Sequence, residues 1–177
     1  MKRHEQLVTM IASGVLLLGC LSAFADQDKP EFDDPQTQAL FEASKPMTGD
    51  HLWAVFTNHT WKWQAGGGFF AARKQAFTAW SREGGNPSVG DGRWFTLTSK
   101  GSLCFRATWR AMDGSAPAVT CFRHRIVGNT IFQKKDPDGE WYVFKHAKRT
   151  YGDEFLKLLE GDYVYHPKKR VEVELDN

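Results

Sequence analysis

Cysteine is nearly absent. The chain of 177 residues holds three, and Cys20 lies in the N-terminal apolar run. Only Cys104 and Cys121 are left for the rest of the chain, too few for a cysteine-built zinc module. Histidine is scarce too. His51, His59, His124, His146 and His166 stand in no metal-ligand spacing. Catalytic signatures are missing: there is no G-x-S-x-G turn, no Walker loop, no H-E-x-x-H and no dinucleotide fingerprint. Gly66-Gly67-Gly68 precedes a strand pattern instead of opening a helix, so it reads as a turn and not as a phosphate cradle. No catalytic residue, metal or cofactor is therefore assigned. A formal charge of +2 is not the basic excess of a nucleic-acid binder, and no nucleic-acid partner is expected. Solenoid repeats, long low-complexity stretches and a second domain are also lacking.

Long apolar runs are confined to one place. Met1-Lys2-Arg3-His4 precedes an apolar stretch over 7–22, followed by Ala23-Phe24-Ala25. A positive start, a short apolar run and small residues before a cleavage point make residues 1–25 a signal peptide. The run is too short and too early for a stable membrane span. Leu17-Leu18-Gly19-Cys20 offers a second processing route, lipidation at Cys20, which would tether the protein to a membrane. Ala23-Phe24-Ala25 favours free export to the periplasm. Removing 25 of the 177 residues leaves 152, enough for one domain that buries roughly 70% of its unfolded surface.

Charge is unevenly spread. Residues 26–58 carry seven acids and two lysines, net −5, and residues 93–149 carry eleven Lys or Arg against four acids, net +7. A basic half in a near-neutral chain points toward an anionic partner or surface.

An exported chain meets an oxidising compartment, where two cysteines pair. Cys-Phe-Arg occurs twice, at Cys104–Arg106 and Cys121–Arg123, in alternating runs joined by Met112-Asp113-Gly114-Ser115. A hairpin turned there sets 104 opposite 121, 106 opposite 119 and 102 opposite 123. Directly opposed residues share a face, so a Cys104–Cys121 disulfide can staple the two strands. It closes a loop of about seventeen residues, worth roughly 3 kcal/mol in the chain-entropy picture. One face of the hairpin carries Leu103, Phe105, Ala107, Trp109, Ala118, Phe122, His124 and Ile126 and is the core face. The other carries the cysteines with Arg106, Arg110, Arg123 and Arg125. Those arginines are either a solvated outer face or a basic patch for a polyanion. His124, on the apolar face, reads first as a satisfied core histidine and second as a functional group.

Turn signals recur about every ten residues: Ala65–Gly68, Gly84–Pro87, Gly90–Gly92, Ser99–Gly101, Asp113-Gly114, Gly128-Asn129 and Asp136–Gly139. Between them lie runs rich in aromatic and β-branched residues: HTWKW, GFFAARK, AFTAWSR, RWFTLT, the two cysteine strands, TIFQKK and EWYVFKH. This spacing predicts an all-β antiparallel meander of about eight strands over 47–165, closed or nearly closed like a barrel. The acidic segment 26–46 is partly helical, with Asp34-Pro35 as an N-terminal cap. Leu52, Val55 and Phe56 mark a second short helix. DEFLKLLEGD is either a helical turn or an extended arm, and the charged tail 166–177 reads as mobile.

Aromatics are abundant, with seven Trp, four Tyr and thirteen Phe. Trp61 and Trp63 share one face of the first long strand. Most tryptophans should be core. A barrel lined by Trp61, Trp63 and Trp109 could also hold an apolar or sugar-like ligand.

HTWKWQAGGGFF, GRWFTLTSKGSLCFRATW, CFRHRI, IFQKK and EWYVFKH together resemble the domain-of-unknown-function 995 family over about residues 47–162. That resemblance implies an exported, alphaproteobacterial envelope protein and no known activity, so it transfers no catalytic residue. GDHLWAVFTNHTWKW also resembles a lipocalin opening, a helix before a Trp-bearing strand, although the usual Gly-x-Trp is missing at that point.

The expectation is an exported envelope protein that binds and does not catalyse. Arg106, Arg110, Arg123 and Arg125 would hold an anionic envelope polymer or envelope protein on the outer face. The alternatives are a small apolar or glycan ligand inside the barrel, and a hydrolase whose carboxylate–histidine site would lie at His124 or His59. Tryptophans filling so small a barrel argue for the outer face.

Overall fold

The computed structural model describes residues 30–177; the predicted signal peptide and Cys20 lie outside the described residues. The chain begins with helix α1 (Pro35–Ala43), strand β1 (Lys45–Pro46) and helix α2 (Gly49–Phe56). The Asp34 carboxylate accepts from the Thr37 backbone N–H at 2.8 Å and the Thr37 hydroxyl at 2.7 Å. These bonds hold its pKa below the usual value and start α1 at the proline. Thr48 caps α2 through the His51 N–H.

A meander follows: β2 (His59–Trp63), β3 (Gly66–Phe70), β4 (Ala76–Ser81), β5 (Ser88–Leu97), β6 (Ser102–Ala111), β7 (Gly114–Val127), β8 (Thr130–Asp136) and β9 (Tyr142–Lys145). These eight are the strands expected from the alternating runs. Two more join them, β1 on β7 and β10 (Leu158–Glu160) on β2. The sheet order β10-β2-β3-β4-β5-β6-β7-β8-β9 is antiparallel throughout. The sheet curls into an incomplete barrel. Its two edges are bridged by the short turn Glu154–Lys157, which packs on β9 and β2.

The cysteine hairpin has the expected register, with Cys104 opposite Cys121, Arg106 opposite Val119 and Ser102 opposite Arg123. The Cys104–Cys121 disulfide is formed. Inward positions follow from that phase. They include Trp61, Phe70, Phe77, Trp94, Phe105, Phe122, His124 and Phe144, and α2 drives Leu52 and Phe56 into the same cluster. Phe56 meets the rings of Trp61, Phe70 and His124 at centroid distances of 6.1, 5.5 and 5.3 Å. Helix α2 therefore plugs one end of the barrel. Outside, α1 lays Phe41 edge-on against Phe132 of β8 at 5.2 Å, and Phe32 and Trp141 complete a small second core. The outer face of β7 and β8 is thus partly covered, not uniformly bathed in water.

Three expectations are corrected. Gly66-Gly67-Gly68 is not a turn: it is the first part of β3. A Cβ on Gly66 would lie 2.3 Å from the Trp80 carbonyl oxygen and 2.5 Å from Trp63 Nε1, and one on Gly68 would lie 2.6 Å from the Phe77 ring. Aromatic residues on the two adjacent strands demand the glycines, which a linear reading takes for a turn. Gly90-Asp91-Gly92 likewise lies inside β5, where Gly90 faces Trp109. The tail is not a mobile arm but helix α3 (Tyr165–Leu175). It packs against β4 and β5 and buries Val171. Lys168 bridges Asp91 at 2.9 Å and Glu172 at 2.5 Å. DEFLKLLEGD satisfies both of its readings in turn, as a helical turn over Glu154–Lys157 and then β10.

Candidate functional site

The barrel is packed at the α2 end and hollow at the other. The reason lies in inward side-chain size. Toward the open end the inward positions are Gly66 and Gly68 on β3, Ala79 and Ser81 on β4, Ser88 and Gly90 on β5 and Ala111 on β6. Walls built of glycine, alanine and serine leave room that larger residues would take. Trp63 stands directly opposite Gly66, Trp61 opposite Gly68 and Trp109 opposite Gly90. A Cβ on Gly90 would lie 3.1 Å from the Trp109 ring, so that indole rests on its neighbour's backbone.

The result is a cavity of about 790 Å³, within the range of small-molecule sites. Trp61, Trp63 and Trp109 line it together, above Phe70, Phe77, Phe105 and Phe122. The rim is polar and comes from the β4–β5 connection (Glu83, Asn86), the β6–β7 turn (Asp113) and Lys135 of β8. Trp61 is fixed through its Nε1–H, which donates to Glu154 Oε1 at 3.0 Å. The tryptophans do not fill the barrel, contrary to expectation. Trp53 belongs to α2, Trp141 packs on α1, and three of the inward tryptophans each stand opposite a glycine on the neighbouring strand.

His124 sits below this cavity, fully buried and outside its lining. Gln133 Nε2 donates to His124 Nε2 across 2.6 Å, and the Tyr142 hydroxyl donates to Gln133 Oε1. An accepting Nε2 puts the ring proton on Nδ1, which has no hydrogen-bond partner among the described residues. Burial pulls the pKa down to about 3, against the nearby Gly101 and Phe122 carbonyls that favour the charged form. The ring is neutral and wrapped in Phe56 and Phe144. Burial also raises the Tyr142 hydroxyl, which the Glu154 charge pushes the same way. The His59 ring bonds to the Thr57 carbonyl through Nδ1, at 2.8 Å. Among the described residues a carboxylate–histidine pair forms between His146 and the buried Asp153, at 2.5 Å and away from the cavity. Among the described residues no group of three or more His, Cys, Asp or Glu comes together to hold a metal ion.

The four arginines share the outer face, as the register requires, and three of them are engaged by neighbouring groups. Arg110 pairs with Asp176 at 2.7 Å and Arg123 with Asp136 at 2.5 Å. Arg125 donates to the Ser44 hydroxyl and carbonyl and lies 5.1 Å over the Phe41 ring. Arg106 is exposed and has no ion pair among the described residues. Internal contacts from α1, α3 and β8 have taken up most of the predicted patch.

The model of one family, described as a protein of unknown function (DUF995), matches residues 17–164. The chain belongs to the DUF995 family. No curated protein matches it, and no solved structure does. The matched span includes every strand and every cavity residue of this DUF995 chain but ends before α3. Sequence reasoning named the three tryptophans of the cavity. It missed Lys135 and the rim residues Glu83, Asn86 and Asp113. For Lys135 a signal existed: Ile131, Gln133 and Lys135 alternate on β8 opposite the inward Ile126, His124 and Phe122, which places a lysine on the core face.

Proposed function

We propose that this DUF995 protein is an exported, periplasmic binding protein that holds a small, mainly apolar ligand in its tryptophan-walled cavity. The observation that carries the reading is the graded size of the inward residues, which packs one half of the barrel and leaves about 790 Å³ open in the other. A cavity of that size, apolar below and polar at the rim, is built as ligand sites usually are. The disulfide agrees with an oxidising compartment. Export places such a carrier in the envelope, free or tethered through Cys20.

The outer basic face is the rival. With Arg110, Arg123 and Arg125 engaged, Arg106 is the charge it would depend on, and its binding would weaken steeply with salt. A neutral naphthylamine probe, whose emission rises in apolar surroundings, separates the two. One equivalent should bind with little salt dependence. Trp109→Ala should weaken binding about tenfold, through lost aromatic contact. Ala111→Trp, which sets an indole in the opening, should block it, and Arg106→Ala should change nothing. No emission change with the folded protein, together with salt-sensitive binding of an anionic polysaccharide that Arg106→Ala abolishes, would move the site to the outer face.

A further inference from the structure

The cavity is not chemically blank. Three charged side chains line it: Glu83, Asp113 and Lys135. Glu83 lies in the turn Glu83–Gly85 and Asp113 in the tip between β6 and β7, both exposed and both on connections. Lys135 differs in kind. It belongs to strand β8 and stands directly opposite Phe122, in the phase that points inward. Its neighbour Lys134, in the outward phase, lies over Trp141 instead. Lys135 makes no ion pair among the described residues. An ammonium that its strand directs toward an aromatic cup, while its tip stays in water, can meet an anionic head at the rim without the cost of full burial.

We infer that the cavity takes an amphipathic carboxylic acid, its apolar body against Trp61, Trp63 and Trp109 and its carboxylate on the Lys135 ammonium. This rests on the cavity being a ligand site and adds the chemistry of the ligand's head. The apolar body goes down because the lower lining is Phe70, Phe77, Phe105 and Phe122. The head stays at the rim, where Lys135 is exposed and the carboxylate keeps part of its water. Ser81, Ser88 and Thr120 add neutral hydroxyls to the same lining and can share the carboxylate's remaining lone pairs. Glu83 and Asp113 favour the opposite head, a cation. The acid is favoured over the cation because loop carboxylates on exposed connections can turn to water, whereas the strand fixes the direction of Lys135.

Tryptophan quenching with three probes of one chain length decides it: dodecanoate, dodecanol and dodecylamine. Dodecanol binding at all tests the cavity; the ratio between heads tests the lysine. Dodecanoate should bind about tenfold tighter than dodecanol, as one charge-assisted hydrogen bond provides. Lys135→Met should erase that ratio while leaving dodecanol affinity unchanged, and Lys135→Arg should keep it. Dodecylamine binding tighter than dodecanoate would overturn the inference and hand the head to Glu83 and Asp113. A preference for the acid that survives Lys135→Met would overturn it equally. If none of the three quenches the folded wild-type protein, the cavity reading fails, and the head-group inference with it.

Discussion

Among single residues, His124 carries the clearest energetic consequence. Its ring is neutral in the folded state, with a pKa near 3 set by burial; in the unfolded chain the ordinary value near 6.5 applies. A base whose folded pKa is depressed stabilises fully above the unfolded value. That stability is lost as pH falls from about 6.5 toward 3, because the unfolded chain then binds a proton the folded one refuses. The limiting slope is about 1.4 kcal/mol per pH unit. Urea unfolding should therefore lose about 2 kcal/mol of stability between pH 7.5 and pH 5. His124→Met should lower stability at pH 7.5, because Gln133 loses its partner, yet flatten the dependence over that range. A wild-type curve already flat between these values would mean that the imidazole is solvated or charged.

Between elements, α3 shows how far local reading reaches. Its sequence is dense in charge, and nothing in its own pattern demands a partner. What holds it is distant: Asp91 of β5 for Lys168, and Arg82 for Glu174. Val171 supplies the apolar contact. Contrast β6 and β7, whose alternation, turn and cysteines are all local; their pairing could be written down residue by residue. The glycine strands fail for the same reason α3 does. Gly66 and Gly90 are explained by Trp80, Trp63 and Trp109, and a residue's need to be small is invisible until its neighbours are placed. The candidate site divides likewise: its indoles were legible by composition, its hollowness was not. Val171→Asp tests the docking. A buried carboxylate without a partner should cost at least about 2 kcal/mol and speed amide exchange through 165–175. A mobile tail would leave both unchanged. Glu172, its pKa drawn down to about 2 by hydrogen bonds from Lys168 and Lys169, adds its support above the ordinary carboxylate value near pH 4.5 and loses it as pH falls toward 2.

Viewed whole, the molecule is a barrel that hydrogen bonds do not close. Strands β9 and β10 are the two ends of the sheet, and a sheet with open edges is weakest there. The seam is held by side chains of one short turn. Asp153, buried, accepts from the His146 backbone N–H at 3.1 Å and holds its ring. Glu154 ties Trp61, and Phe155 packs edge-on against Phe144 at 6.0 Å. Trp61 is at once a seam residue and a cavity wall, so the stability of the seam and the shape of the site are coupled. Removing the latch should therefore act in one place. Asp153→Ala leaves the His146 N–H without its acceptor and should cost about 2 kcal/mol. Amide exchange should quicken in 142–146 and 158–160, at the two edges, while β5, β6 and β7, braced by the disulfide, keep their protection. Probe affinity should fall in step, because Trp61 loses its anchor when the turn lifts. Uniform acceleration across every strand would instead mean that the barrel opens only as a whole and that the seam has no independent motion.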